Sequence, residues 1–232
     1  MNNINKDNEG TPFLTFQPIR SVIEKVLEVQ KVSSSFPRFP ELNAVCNEVI
    51  DPKLIVLASP PSLGKTSLAL AMMCHIAVKK NIPCGLFSLE MDACHIGLRL
   101  LSIETKENLS KAPIVIVDTP MMSIEELNCA IQYMVHNNSV KVVFIDYLGL
   151  IQGSTYFQNR YEHQLEIIST LKNMVDEFGI SIIVNVQLHR DKSDTTRQSH
   201  FDNIAEQADT LLLLDRDTET NEPMVKIVRK SV

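Results

Sequence analysis

The residues Ser59, Pro60, Pro61, Ser62, Leu63, Gly64, Lys65 and Thr66, followed by Ser67, stand between an apolar run and a helical pattern, S-L-A-L-A-M-M. A loop that joins a strand to a helix in this way aims backbone N–H groups, and the positive end of the helix, at an anion. Gly64 permits close backbone approach, Lys65 is long enough to reach the β- and γ-phosphate oxygens of a nucleotide, and the Thr66 hydroxyl is placed to coordinate Mg2+. The string fits the phosphate-loop pattern G-x-x-x-x-G-K-[ST] except that Ser59 replaces the first glycine. That replacement leaves an ordinary strand-to-helix turn as the other reading.

A metal-bound phosphate needs a carboxylate nearby. K-V-V-F-I-D-Y, residues 141–147, ends four apolar residues with Asp146, the Walker B pattern, in which the acid holds Mg2+ through its water shell. G-L-F-S-L-E-M, residues 85–91, ends a second run with Glu90, a candidate base to orient water. I-S-I-I-V-N-V-Q-L-H-R, residues 180–190, brings Gln187 to a third strand tip, where a neutral amide can sense the γ-phosphate. One such acid alone reads equally well as a surface turn residue. Strand tips that follow the same pattern beside a phosphate loop instead define a crevice at the carboxyl edge of a sheet. The loop at 189–200 carries Arg190, Lys192 and Arg197. It suits phosphate contact with a single nucleic acid strand, or simply a solvated loop, since Asp191 and Asp194 offset part of its charge and no aromatic lies within it for stacking.

The elements that must position these groups are legible as short apolar runs at Leu54–Ala58, Gly85–Leu89, Ile114–Val117, Val142–Ile145, Ile180–Val186 and Thr210–Leu214. They do not alternate with polar residues, as befits strands buried on both faces of a mostly parallel sheet. Helical patterns separate them, the clearest over 159–178 with Leu165, Ile168, Leu171, Val175 and Phe178 on one face. The expected fold is therefore α/β, a twisted, mostly parallel sheet with helices on both faces. Before it, residues 1–11 read as a flexible arm. Ile19, Val22, Ile23, Val26 and Leu27 mark an amphipathic helix over 17–32, with Pro18 in its first turn. S-S-S-F-P-R-F-P at 33–40 breaks that helix and predicts that it is held apart from the main body. The division is thus 1–36, arm and linker helix, and 37–232, the α/β domain that carries the phosphate loop.

Composition sets the bounds. The 232 residues are 44% apolar and 22% charged, with a net charge of −6. This excludes a disordered or collagen-like chain and argues against a protein that coats nucleic acid over its whole surface. No apolar stretch is long enough for a membrane helix and the N-terminal residues have no apolar signal core, so a cytoplasmic protein without membrane association is expected. Cys46, Cys74, Cys84, Cys94 and Cys129 form no C-x-x-C pair and read as buried thiols. Cys74-His75 and Cys94-His95 are helical neighbours that diverge by about 100° and are poorly placed to share zinc. Met72, Met73, Met91, Met121 and Met122 read as core filler, and Tyr156, Phe157 and Tyr161 as packing or as the lining of a nucleic acid path or an interface.

Taken in order, these strings resemble the RecA-like C-terminal ATPase domain of DnaB-type replicative helicases. The matching pieces are F-P-E-L-N, L-I-V-L-A-S-P-P-S-L-G-K-T-S-L-A-L, F-S-L-E-M with Arg99, Leu100 and Leu101, and Asp118-Thr119-Pro120. F-I-D-Y-L-G-L-I, Asn159-Arg160 with Glu166 and Leu171-Lys172, Q-L-H-R, and Ile204 with Ala208-Asp209 before L-L-L-L-D-R-D complete the set, over roughly residues 38–230. The resemblance implies a P-loop NTPase that hydrolyses ATP with Mg2+ and moves on single-stranded DNA, as a homo-oligomeric, usually hexameric, ring with ATP at subunit interfaces. It implies that Lys65 and Thr66 bind phosphate and Mg2+, that Glu90 is the catalytic carboxylate, Asp146 the Walker B acid and Gln187 the sensor. It makes the loop after Arg190 a DNA contact and the 17–32 helix a linker that docks on the adjacent subunit. The family's N-terminal helical domain has no counterpart in these residues, the stretch from Met91 to Ala112 is short, and the last strand, M-V-K-I-V-R-K-S-V, stops where the family continues into a basic finger. Arg229 or Lys230 are the candidates for that role, and weak hydrolysis is the expected cost of a missing finger. The competing reading is a catalytically weak helicase paralogue that binds ATP and regulates or assembles a helicase partner. A recombination- or clock-type RecA-like ATPase is a third, against which F-S-L-E-M and F-I-D-Y-L-G-L-I favour the helicase branch.

Overall fold

Runs of Ile, Val and Leu without polar alternation can be covered only by placing packed helices on both sides of the strands they form. A computed structural model of the chain describes residues 14–26, 40–153, 160–188 and 202–230 and shows this arrangement. The elements in order are β1 (Gln17–Pro18), α1 (Ile19–Val26), α2 (Pro40–Glu48), β2 (Leu54–Ser59), and α3 (Lys65–Cys74), which continues as a π-helical turn (His75–Lys79). Next come β3 (Cys84–Ser88), α4 (Ala93–Leu101), α5 (Lys106–Lys111), β4 (Ile114–Val117), β5 (Met122–Ser123), α6 (Ile124–Asn138) and β6 (Val142–Asp146). A 3-10 turn (Leu148–Leu150), β7 (Ile151–Gln152), α7 (Arg160–Phe178), β8 (Ser181–Gln187), β9 (Thr210–Arg216) and β10 (Pro223–Lys230) follow.

The main sheet has the order β1-β4-β3-β6-β8-β2-β9-β10. Its six inner strands are parallel, and only β1 and β10, at the two edges, run antiparallel to their neighbours. α1 to α5 pack on one face with Ile55, Leu57, Leu86, Ile116, Phe144 and Ile183, and α6 and α7 on the other with Val56, Phe87, Val143 and Val184. Side chains on a strand alternate between faces. The face under α3 is therefore apolar along most of each strand and ends in Ser59, Ser88, Asp118, Asp146, Asn185 and Gln187. The register sets Ser59 opposite Gln187 and Ser88 opposite Asp146.

The N-terminal segment departs from its expectation. Gln17 and Pro18 form a short strand against Val115 and Ile116, so Pro18 precedes the helix instead of lying in its first turn. At a sheet edge, its missing N–H costs no ladder bond. α1 is not held apart from the body either: Ile19, Val22, Ile23 and Val26 are buried in the core with α4. A Cβ on Gly97 would lie 2.9 Å from Val22 Cγ1 and 3.0 Å from Val26 Cγ2, so this glycine is what lets α1 seat on α4. Gln17 Nε2 also donates to Asp118 Oδ1 (2.9 Å), and Asp118 Oδ2 accepts from the Ala93 N–H (2.8 Å) that opens α4. Residues 27–32 of the predicted helix lie outside the described residues, as do Tyr156 and Phe157.

Two further expectations need correction. Cys46, Cys74 and Cys84 are buried, but Cys94 and Cys129 are exposed. Met72, Met73 and Met122 fill the core, whereas Met121 is 61% exposed and Met91 is half-buried at the rim of a cleft. Lys172 and Asp209, from strings far apart in sequence, form an ion pair (2.6 Å), and the same Asp209 oxygen accepts from the Leu54 N–H (2.7 Å), tying α7 to the start of β2.

Candidate functional site

The polar ends of β2, β3, β6 and β8 open into a cleft of about 470 Å3, whose lining includes Lys65, Thr66, Glu90, Arg99, Asp146 and Gln187. Pro60, Pro61, Ser62, Gly64 and Ser67 complete its loop wall. Of the predicted loop residues, Leu63 packs against the apolar core and Ser59 is fully buried beneath the loop.

The loop's shape explains its residues. Gly64 has φ +90, a conformation that side chains resist, while nothing lies within 4 Å of a Cβ placed there. Gly64 is thus required by its backbone angle. Ser62 is also left-handed, with φ 64. Ser59 is the last residue of β2, has no positive φ, and donates its hydroxyl to the Pro60 carbonyl (3.0 Å). Glycine's freedom is not needed there, so serine at the first position is no obstacle to the loop. α3 begins at Lys65, directing its first N–H groups to the cleft.

Burial pushes the Lys65 ammonium below the usual lysine value, and the carboxylates of Asp146 and Glu90 partly oppose this. Its Nζ also lies 5.7 Å from the centroid of the Tyr147 ring. Asp146, only 5% exposed, ends β6, and its Oδ1 accepts from Asn185 Nδ2 on β8 (2.8 Å). Glu90 is not the end of a strand: β3 stops at Ser88, and Glu90 sits exposed in the bend that follows. Ser88 Oγ donates to the Met91 carbonyl (2.6 Å), and Leu89 N–H to the Asp146 carbonyl (2.9 Å), so the bend is fixed to the neighbouring strand. The Thr66 hydroxyl and the Asp146 carboxylate are hard oxygen donors on one cleft, a set that suits a cation such as Mg2+.

Arg99 and Tyr147 line the same cleft but do not stand out as site residues in the sequence. Arg99 has one local signal, a cation in the last turn of the helix that opens just after Glu90. Arg190, Lys192 and Arg197 lie outside the described residues. The backbone of Arg229 and Lys230 pairs with Leu211 and Thr210, and Thr210 is level with Ile55, at the end of the sheet away from the phosphate loop.

A parallel sheet with covered faces, a phosphate loop after a central strand and acids at the neighbouring strand tips define a RecA-like P-loop NTPase. Solved structures share this fold: the ATPase domain of G40P (TM-score 0.65, 20% identity, 90% of this chain and 88% of that one). A DnaB-like replicative helicase, described with its interactions with primase, gives a TM-score of 0.68 at 20% identity over 92% of this chain and 62% of that one. The KaiC-like protein PH0186 of Pyrococcus horikoshii gives 0.61 at 19% identity over 87% and 89%. The model of the DnaB-like helicase C terminal domain matches residues 36–110 and 103–231, and the chain belongs to that family. It is 30% identical over 207 residues to the replicative DNA helicase DnaB of Treponema pallidum, covering 77% of this chain and 47% of that protein. It is 31% identical over 176 residues to the DnaB of Geobacillus stearothermophilus, covering 66% and 39%. The chain thus spans about half the length, or less, of these curated relatives.

Proposed function

We propose that this chain is the ATP-hydrolysing motor domain of a DnaB-type DNA helicase, acting in the cytoplasm on single-stranded DNA as a ring-shaped homo-oligomer. The observation that carries the reading is the meeting of Lys65, Thr66, Glu90, Asp146 and Gln187 on one cleft above the carboxyl ends of β2, β3, β6 and β8. In this reading the N–H groups of the loop and of the first turn of α3 receive the phosphates. Lys65 spans the β- and γ-phosphate oxygens, and Thr66 and Asp146 hold Mg2+. A Mg2+ ion held by these residues would supply neutralisation of the phosphate charge. Glu90, exposed in its bend, accepts a hydrogen bond from the attacking water and orients it. Gln187, opposite Ser59 in the sheet, reports the γ-phosphate to the loop that follows β8. Arg99 adds a second cation to the cleft wall and is assigned to phosphate binding. Arg190, Lys192 and Arg197 are assigned to DNA phosphates. Arg229 or Lys230, at the end of the sheet remote from the chain's own phosphate loop, is assigned to a neighbouring subunit.

Steady-state ATP hydrolysis with and without single-stranded DNA tests this, with Glu90→Gln as the blank. Turnover that DNA stimulates and that the variant loses while still binding ATP is the expected result. Equal turnover in Glu90→Gln would remove Glu90 from the chemistry, and no turnover under any condition would remove the motor.

A further inference from the structure

β8 is buried along its length, and five of its residues before Gln187 are serine or aliphatic. Asn185 interrupts it at 1% exposure, beside Leu57 of β2 and on the same face as Ile183 and Gln187. A buried primary amide in an aliphatic strand costs about 1–3 kcal/mol unless it is hydrogen-bonded. This amide has one hydrogen bond among the described residues, from Nδ2 to Asp146 Oδ1 (2.8 Å). Only the NH2 side can donate to a carboxylate, so the amide's orientation is fixed by its partner. Asn185 Oδ1 is then left buried, with no partner among the described residues.

A residue that only filled the sheet at this position would be apolar, like its neighbours Val184 and Val186. Asn185 instead spends its donor on one chosen oxygen of the cleft's deepest acid. We infer that Asn185 is a positioning residue for Asp146. Its N–H holds Oδ1, so that Oδ2 is the oxygen presented to a cation in the cleft. Asn185 touches neither nucleotide nor cation, and acts through Asp146. The inference rests on the reading of Asp146 as a cation ligand.

The test is binding of a fluorescent ADP analogue to the whole chain in EDTA and across a Mg2+ titration, for the parent, Asn185→Leu and Asn185→Met. Both substitutions keep an unbranched or aliphatic filler of similar size, and either one that folds serves. The expected result is metal-free affinity within about twofold of the parent and a Mg2+ half-saturation raised about tenfold, the usual scale when a partner of a metal ligand is lost. A folded variant with the parent's Mg2+ half-saturation would overturn the inference. So would an equal loss of affinity with and without Mg2+, which is what general damage to the cleft gives. A parent whose affinity does not respond to Mg2+ would overturn the Asp146 assignment itself, and the Asn185 role with it. A readout without substitution is the Asn185 side-chain amide resonance in asparagine-labelled protein: it should shift between ADP and Mg2+-ADP, and an unmoved resonance counts against the inference.

Discussion

Replacing Lys65 with alanine separates nucleotide binding from folding. Lys65 is half-buried, with the Tyr147 ring 5.7 Å from its ammonium and the carboxylates of Asp146 and Glu90 acting on it. A hydrogen bond to a charged group is worth about 1.5–3 kcal/mol net. Lys65 has two phosphate oxygens within its assigned reach, each taken at the low end of the range because the cleft is open to solvent. The sum is about 3 kcal/mol, on the order of a hundredfold in affinity. Stability should respond differently. Removing a cation that burial disfavours recovers part of the solvation cost, while Asp146 keeps its hydrogen bond from Asn185. The unfolding midpoint without nucleotide should therefore stay close to that of the parent. Titration with a fluorescent ATP analogue, run beside thermal unfolding without ligand, reads both quantities. Lys65→Met keeps most of the side-chain stem and should lose as much affinity as Lys65→Ala. Affinity within threefold of the parent in either variant would refute the assignment of Lys65 to phosphate, and a fall in affinity matched by a large fall in the midpoint would mean that Lys65 holds the fold.

Other consequences follow from the packing. Asp209→Ala breaks the Lys172 pair and strands the Leu54 N–H, and should cost about 2 kcal/mol in denaturant unfolding; Lys172→Met, which leaves that N–H satisfied, should cost under about 1 kcal/mol. Gly97→Ala forces a methyl against Val22 and Val26 and should destabilise by about 1–2 kcal/mol, with faster amide exchange in α1 and unchanged exchange in β2 and β8. In native protein at mildly alkaline pH, a thiol reagent should modify Cys94 and Cys129 and spare the rest; burial raises the thiols of Cys46 to about 11 and of Cys74 to about 12, and Cys84 is raised further, so all three should react only on unfolding.

The parts of the fold that were legible in the sequence are those that one local property determines. β2, β4, β6 and β8 appear to within a residue because burial on both faces admits only aliphatic runs, and α7 because its stripe repeats at the helical period. Lys65, Thr66 and Asp146 were legible because phosphate and metal chemistry restricts both residue type and place. What escaped depends on contacts between distant segments. Pro18 suits a first helical turn or an edge strand equally well, and the neighbouring β4 decides. Val22, Ile23 and Val26 form an apolar stripe with no local sign of where it docks; the answer is Gly97, far along the chain. Arg99 and Tyr147 lie in the motif strings but carry no residue-type signal for the cleft they line, and Asn185 meets Asp146 only through the pairing of distant strands.

The charge balance of the cleft explains why the loop's backbone matters as much as its lysine. Lys65 and Arg99 face Glu90 and Asp146, so among the described residues the charged side chains that line the cleft sum to zero, within a chain of net charge −6. A polyphosphate therefore finds no excess of positive side chains to attract it. In the proposed reading the N–H groups and a cation held at Thr66 and Asp146 therefore share with Lys65 and Arg99 the work of meeting its charge. The loop's N–H groups depend on Ser62 and Gly64 keeping their left-handed angles, and the hydrogen bond from Asn185 holds Asp146, the proposed cation ligand. In that reading Asp146, which repels phosphate on its own, becomes favourable once a divalent ion lies between it and the nucleotide. In the proposed reading nucleotide and metal meet on one polar row at the strand tips, whose spacing is set by the register of β2, β3, β6 and β8.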